Sequence, residues 1–162
     1  MSISAIDENA WDSILSIQAQ VYTEVEPEKL AVLRAKWQHS PATCFVFKQD
    51  NVLAAYLLAH TWAYEAPPKL DALLPEDSHG STVFIHDLAV ARDFAGMGIG
   101  CKLVVHLTET ALALGYRRMS LVAVQGSSAF WQKMGFTEVA DVAVCPAYGQ
   151  GAKVMQRVLL AC

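Results

Sequence analysis

Apolar residues recur along the chain in two rhythms, and the switches between them outline the elements. Trp11, Ile14, Leu15, Ile17, Val21 and Tyr22 fall near helical spacing, which predicts a helix over Asn9–Thr23 with Asp7 as its cap. Pro27 is read as opening a second helix that runs to about Gln38, and Pro41 as stopping the chain after it. Met1–Ala5, Thr43–Lys48, Val52–His60 and Thr82–Val90 read as strands, with Gln49-Asp50-Asn51 a hairpin turn. A stripe of Ile99, Leu103, Leu107, Ala111 and Leu114 predicts a helix over Ile99–Leu114, stopped by Gly115. Arg118–Val124 follows as a strand and Ser127–Met134 as a short helix. Phe136–Val144 and Lys153–Leu160 close the chain as strands. The order β-α-α-β-β-β-α-β-α-β-β makes an α/β domain with a mixed sheet and helices on both faces.

Trp62–Gly80 breaks the pattern. It carries Pro67, Pro68 and Pro75 among acidic residues and His79, and it reads as a long loop. Loops of this length in a compact domain are either functional or solvated insertions.

Composition narrows the field. The 162 residues are 54% hydrophobic and 17% charged, which excludes a disordered polyelectrolyte and suits a single domain over residues 1–162. The balance of 12 basic against 16 acidic residues, net −4, lacks the basic face that a phosphate backbone needs, so no nucleic-acid partner is expected. The longest apolar stretch, Val52–Tyr64, is interrupted by His60 and Thr61 and is short of a membrane span, which takes about 20 residues. The first ten residues carry Asp7 and Glu8 and no basic-then-apolar pattern, so a cytoplasmic protein with no membrane partner is expected. Cys44, Cys101, Cys145 and Cys162 show neither close pairing nor metal-ligand spacing, which predicts buried, reduced thiols and no metal.

The candidate chemistry lies between the fourth strand and the third helix. Ala95-Gly96-Met97-Gly98-Ile99-Gly100-Cys101 places glycines at alternate positions just before a helix. Glycine leaves backbone N–H groups unshielded, and the helix amino end adds partial positive charge, so the segment predicts an anion cradle. It is neither G-x-G-x-x-G nor a loop ending in Gly-Lys-Ser/Thr.

A second motif, Phe130-Trp131-x-Lys133-x-Gly135-Phe136, follows at the right separation. With Leu88-Ala89-Val90 and the glycine run, the chain resembles the GNAT superfamily of acetyl-coenzyme A-dependent N-acetyltransferases over nearly its whole length. The resemblance implies a mostly antiparallel sheet whose central strands splay, and acetyl-CoA as cosubstrate. It implies that Leu88, Ala89 and Val90 pair with the pantetheine arm. Backbone N–H groups of Ala95, Gly96, Met97, Gly98, Ile99, Gly100 and Cys101 would hold the pyrophosphate, and Phe130 and Trp131 would line the channel. The acceptor would be a primary amine of a small molecule or peptide, attacking the thioester directly. Family members are often dimers, so a homodimer is one expectation.

Two departures bear on mechanism. The family usually has Arg or Gln in or just before the glycine loop; here Asp93 and Ala95 stand there, with Arg92 and Lys102 nearby. Trp131 stands where a proton-donating Tyr is common, and an indole N–H releases no proton at working pH. His86 is the first choice of general base, because neutral imidazole has the right strength and the residue lies four before Val90. Asp87 is the alternative, since a bulge changes which side chain faces the slot. Tyr148, before Gly149-Gln150-Gly151, is the choice of acid, and His79 is a third candidate in the loop. Glu24, Glu26, Glu65, Asp71, Glu76 and Asp77 read first as a solvated face and second as a greeting for a cation. The rival from another class is a coenzyme A-binding sensor without turnover.

Overall fold

In the computed structural model, residues 2–24 and 26–159 are described, and the expectations that touch Met1, Leu160 and Cys162 lie outside them. Seven strands form one sheet in the order β1-β2-β3-β4-β5-β7-β6. They are β1 (Ser2–Ala5), β2 (Cys44–Gln49), β3 (Val52–Trp62), β4 (Thr82–Val90), β5 (Arg118–Ala123), β6 (Thr137–Glu138) and β7 (Lys153–Val158). Every pairing is antiparallel except that of β4 with β5. The helices are α1 (Trp11–Val21), α2 (Leu30–His39), α3 (Ile99–Ala113) and α4 (Ser128–Lys133).

The sheet divides the core in two. On one face Leu103, Leu107 and Ala111 of α3 and Trp131 of α4 pack with Val83, Ile85, Met119 and Leu121. On the other, Trp11, Ile14 and Ile17 of α1 and Leu33 of α2 pack with Val46, Tyr56, Leu58 and Ala89. The predicted stripe of α3 is therefore the stripe that is buried, except for Leu114, which is exposed beyond the helix end.

Three local departures from the pattern have physical causes. Asp7 caps as predicted, but it caps a short 3-10 turn at Glu8–Ala10 that precedes α1. Pro27 does not open α2, because a side chain of α1 claims the Glu28 backbone: its N–H donates to Gln18 Oε1 (3.1 Å) and its carbonyl accepts from Gln18 Nε2 (3.2 Å). The helix begins only after Lys29, whose ψ of 147° is extended. The strand expected over Phe136–Val144 is cut to Thr137–Glu138, since the chain turns through Asp141 at a φ of 62°. Cys44 is buried as expected, whereas Cys101 lies exposed at the start of α3.

Two irregularities in β4 set up the site. Its parallel pairing with β5 runs only from Thr82↔Arg118 to Ile85↔Leu121, after which the strands part. Just there β4 also bulges: Ala59 pairs with Ile85 and Leu58 with Asp87, so His86 is left without a partner on β3.

Candidate active site

A cavity of about 300 Å³ opens where β4 and β5 part. Gly100, Ser127, Phe130 and Trp131 line it from the α3 and α4 side. Gln18, Tyr22, Glu28, Leu70 and Tyr148 line it from the α1 and α2 side. The gap between the strands thus joins the two faces of the sheet.

The bulge decides which side chains meet in it. Side chains alternate along a regular strand, so neighbours point to opposite faces. Ile85 and Leu88 both pack on the α3 face, and the extra residue in the bulge leaves His86 and Asp87 together on the α1 face. Both line the cavity. The two sequence-selected candidates for base are therefore adjacent in space as well as in sequence.

His86 rests on a residue that sequence reasoning passed over. Its Nε2 bonds the carboxylate of Glu28, and both side chains are almost fully shielded. Burial by itself raises the Glu28 carboxyl, but His86, Lys36 and the Asp71 N–H together outweigh it and lower it to about 2. The Asp71 N–H donates to Glu28 Oε2 at 2.8 Å, and Lys36 Nζ lies 3.7 Å from the same oxygen. Lys36 is wholly buried; it also donates to the Ala72 carbonyl at 3.2 Å, and burial lowers its ammonium. An ionised carboxylate only accepts hydrogen bonds, so His86 carries a proton on Nε2. Its Nδ1 is buried and has no hydrogen-bond partner among the described residues.

Asp87 is buried in a different setting. Tyr56 donates to its Oδ2 at 2.5 Å. Burial raises its carboxyl to about 6, against the pull of His86, Tyr22 and Tyr56. Tyr22, at the end of α1, donates its hydroxyl to the Leu88 carbonyl at 2.8 Å and accepts from the Leu88 N–H at 3.3 Å. Those groups are free of β3 because Ala91 N–H bonds Ala54 O, which puts the β3-facing backbone on Ala89 and Ala91 and leaves Leu88 and Val90 facing the gap. Of the three β4 residues expected to meet a ligand arm, Ala89 has its backbone turned to β3.

The glycine loop stands on the α3 side. Gly96 and Gly98 have φ of 80° and 75°, where a side chain is strained, and open space surrounds the position of a Cβ on each. Gly98 precedes the fifteen-residue α3. A Cβ on Gly100 would meet the Phe130 ring at 3.4 Å, an ordinary van der Waals contact. Ala95, Met97 and Cys101 are exposed, and Ile99 is buried. Arg92, a candidate helper of the loop, is instead tied to α1; its side chain donates to Gln20 O at 2.8 Å and its N–H to Gln20 Oε1 at 2.6 Å. Trp131 is a core residue with Phe130 and Phe136 rings against it.

Tyr148 lines the cavity, buried, with its hydroxyl donating to the Pro68 carbonyl at 2.5 Å; burial raises it above the ordinary phenol range. His79 lies elsewhere, stacked on His39 with ring centroids 3.6 Å apart and bonded to Thr61 Oγ1.

Residues 11–136 match the model of the acetyltransferase (GNAT) family. The chain belongs to that family. A relative in Bacillus subtilis (strain 168), the "Uncharacterized N-acetyltransferase YesJ", is 36% identical over 97 residues, which are 57% of this chain and 51% of that protein. The chain thus matches about half the length of this curated relative. Among solved structures, Ard1 from Thermoplasma volcanium superposes with a TM-score of 0.78 at 17% identity, covering 99% of this chain and 98% of that one. The GphF GNAT-like decarboxylase in complex with isobutyryl-CoA gives 0.84 at 15% identity, covering 99% and 100%. At those identities the likeness is one of fold. The splayed, mostly antiparallel sheet expected of a GNAT domain is the sheet observed. Among the described residues no helix is long and apolar enough to cross a membrane, and no cluster of His, Cys, Asp and Glu is arranged to hold a metal.

The GNAT site fits an acyl-coenzyme A in three respects visible in the protein. The α3 amino end is open and unshielded, Leu88 and Val90 turn backbone groups to the gap, and the gap passes through the sheet. Glu28, Lys36 and Tyr56 had no motif to mark them; the acidic residues around Glu24 and Glu26 and the long Trp62–Gly80 loop, which supplies Asp71 and Ala72 to the Glu28 cluster, were the hints that this end of the domain mattered.

Proposed function

We propose that the protein transfers the acetyl group of acetyl-CoA to a primary amine by direct attack, with His86 as the base. The observation that carries this reading is the bulge at the parting of β4 and β5, which delivers a Glu28-anchored His86 and Asp87 to one cavity. When bound, the thioester supplies an activated acyl carbon. The chain's own residues do the rest.

The N–H groups from Ala95 to Cys101 receive the pyrophosphate, Leu88 and Val90 pair with the pantetheine arm beside Ala89, and Phe130 and Trp131 wall the channel. His86 Nδ1 takes a proton from the ammonium of the acceptor. Glu28 holds Nε2–H, so the imidazolium that forms is already paired. The freed amine forms the N–C bond as the C–S bond breaks, and sulfur departs as thiolate. A thiol pKa of about 8.5 makes that departure feasible with little help. Tyr148, kept protonated by its burial, gives a proton to sulfur on leaving the Pro68 carbonyl and is reprotonated by the acceptor nitrogen, which sheds its second proton as the amide forms. Asp87 is the second candidate base, favoured by a carboxyl raised to about 6, near working pH.

The test is thiol release with acetyl-CoA over an amine panel, alongside calorimetric titration of the coenzyme. His86→Ala is expected to lower kcat by at least a hundredfold with coenzyme affinity unchanged. Undiminished turnover excludes His86 as base. A sensor without turnover is favoured by one observation: the phenols of Tyr22 and Tyr148 are both engaged with backbone carbonyls. Coenzyme binding with no thiol release from any amine would establish the sensor.

A further inference from the structure

The end of the cavity on the α1 and α2 side carries a charge pattern and a roof that together select an acceptor. No Lys or Arg is among the described residues lining the cavity, whereas Glu26, Glu28 and Asp87 are. The ammonium of Lys36 sits behind Glu28, wholly buried and within reach of that carboxylate. Glu26 is exposed and forms no ion pair among the described residues. A carboxylate or phosphate on an acceptor would therefore be desolvated beside fixed negative charge with no cation to receive it.

The roof is made of three connecting segments tied to one another. Tyr148, between β6 and β7, donates to Pro68 O of the long loop at 2.5 Å. The loop in turn meets the start of α2, where Lys29 N–H donates to Asp71 Oδ1 at 3.1 Å and Asp71 N–H to Glu28. Gln125, just past β5, bonds Val21 O at 3.1 Å and the Glu24 N–H at 2.9 Å, which fastens the α1–α2 connection across the gap. Gln125 does so at a φ of 52°, a conformation that only well-anchored side chains sustain. A peptide in an open groove needs unpaired backbone along its path; here Pro68 O, Val21 O and the N–H groups of Glu24, Lys29 and Asp71 are already engaged within these segments.

We infer that the acceptor is a compact primary amine that carries no acidic group, rather than an amino acid or a peptide amino terminus. The inference rests on the acetyl-transfer reading and names its substrate class. The acceptor nitrogen, an ammonium at first, gives one proton to His86 and a second, by way of Tyr148, to the departing thiolate, gains the acetyl group and leaves as a neutral amide.

Matched probes test it. The full chain, first titrated with acetyl-CoA by calorimetry, is assayed for thiol release with phenethylamine against phenylalanine, with agmatine against arginine, and with a phenylalanine-initiated tripeptide. Each amine is expected to exceed its amino acid, and phenethylamine the tripeptide, by at least tenfold in kcat/KM. Glu26→Arg is expected to narrow the amine-to-acid gap severalfold with coenzyme affinity unchanged. An amino acid or the tripeptide matching its amine overturns the inference and leaves acetyl transfer standing. An unaltered gap in Glu26→Arg overturns the role given to charge. Coenzyme binding without release from any probe overturns transfer itself, and the inference with it.

Discussion

Glu28 and His86, 58 positions apart in the chain, form a hydrogen-bonded pair with both side chains nearly excluded from water. Lys36 completes the cluster from the other carboxylate oxygen. Removing one partner of a buried ionic group leaves the remainder uncompensated and costs about 3–5 kcal/mol. Glu28→Ala is therefore expected to lower stability on that scale in urea denaturation. Glu28→Gln retains the shape, and is expected to lower kcat more than it changes the amine KM, because a neutral partner no longer steadies the imidazolium. Equal kcat in Glu28→Gln would remove Glu28 from the mechanism.

Lys36 acts on the same pair from behind. Its ammonium offsets the Glu28 charge, so Lys36→Met leaves that buried carboxylate without its lysine partner. Stability in urea denaturation is expected to fall by about 3–5 kcal/mol, with part of the loss recovered in Lys36→Arg. Undiminished stability in Lys36→Met means that the ammonium does not compensate Glu28.

Asp87 has the opposite linkage to Glu28. Its folded carboxyl is raised from 3.8 to about 6, so the fold favours the protonated form. That stability is fully present below the unfolded value and is lost as pH rises through about 6. The shift corresponds to about 3 kcal/mol. Asp87→Asn, which keeps a partner for Tyr56, is expected to be more stable than wild type by about that much at pH near 8 and by nothing at pH near 3.5. A difference that does not vary with pH contradicts this.

Tyr22 satisfies both backbone groups of Leu88 in the gap. A pantetheine arm that pairs with Leu88 has to displace that hydroxyl. Tyr22→Phe leaves the N–H and C=O without a partner until ligand arrives, so the free protein loses about 1 kcal/mol and coenzyme binding gains about as much, near fivefold. Calorimetry and thermal melting read the two effects; weaker coenzyme binding in Tyr22→Phe would show that Tyr22 contacts the ligand instead.

Gly98 lies at a φ of 75° with open space around its Cβ position. Gly98→Val is strained by its backbone rather than by collision, at a cost of about 1–2 kcal/mol. Coenzyme affinity is expected to fall at least tenfold as the amides lose their alignment, and unchanged affinity would place the diphosphate elsewhere.

The sequence by itself determined the parts that local periodicity encodes. The α3 stripe, β4, the glycine turn before α3 and the aromatic pair on α4 are set by neighbours a few positions apart, and they were legible together with the family they resemble. The start of α2 was not, because a side chain on α1 claims both backbone groups of Glu28, and no local signal reports a contact from Gln18. Nor was the choice between His86 and Asp87. Only the pairing of β4 with β3 on one side and its parting from β5 on the other produced the bulge that put both on one face. Glu28, Lys36 and Asp71 became a site for the same reason: a buried charge is tolerated only where distant segments supply its partners, and which segments meet is a property of the folded chain.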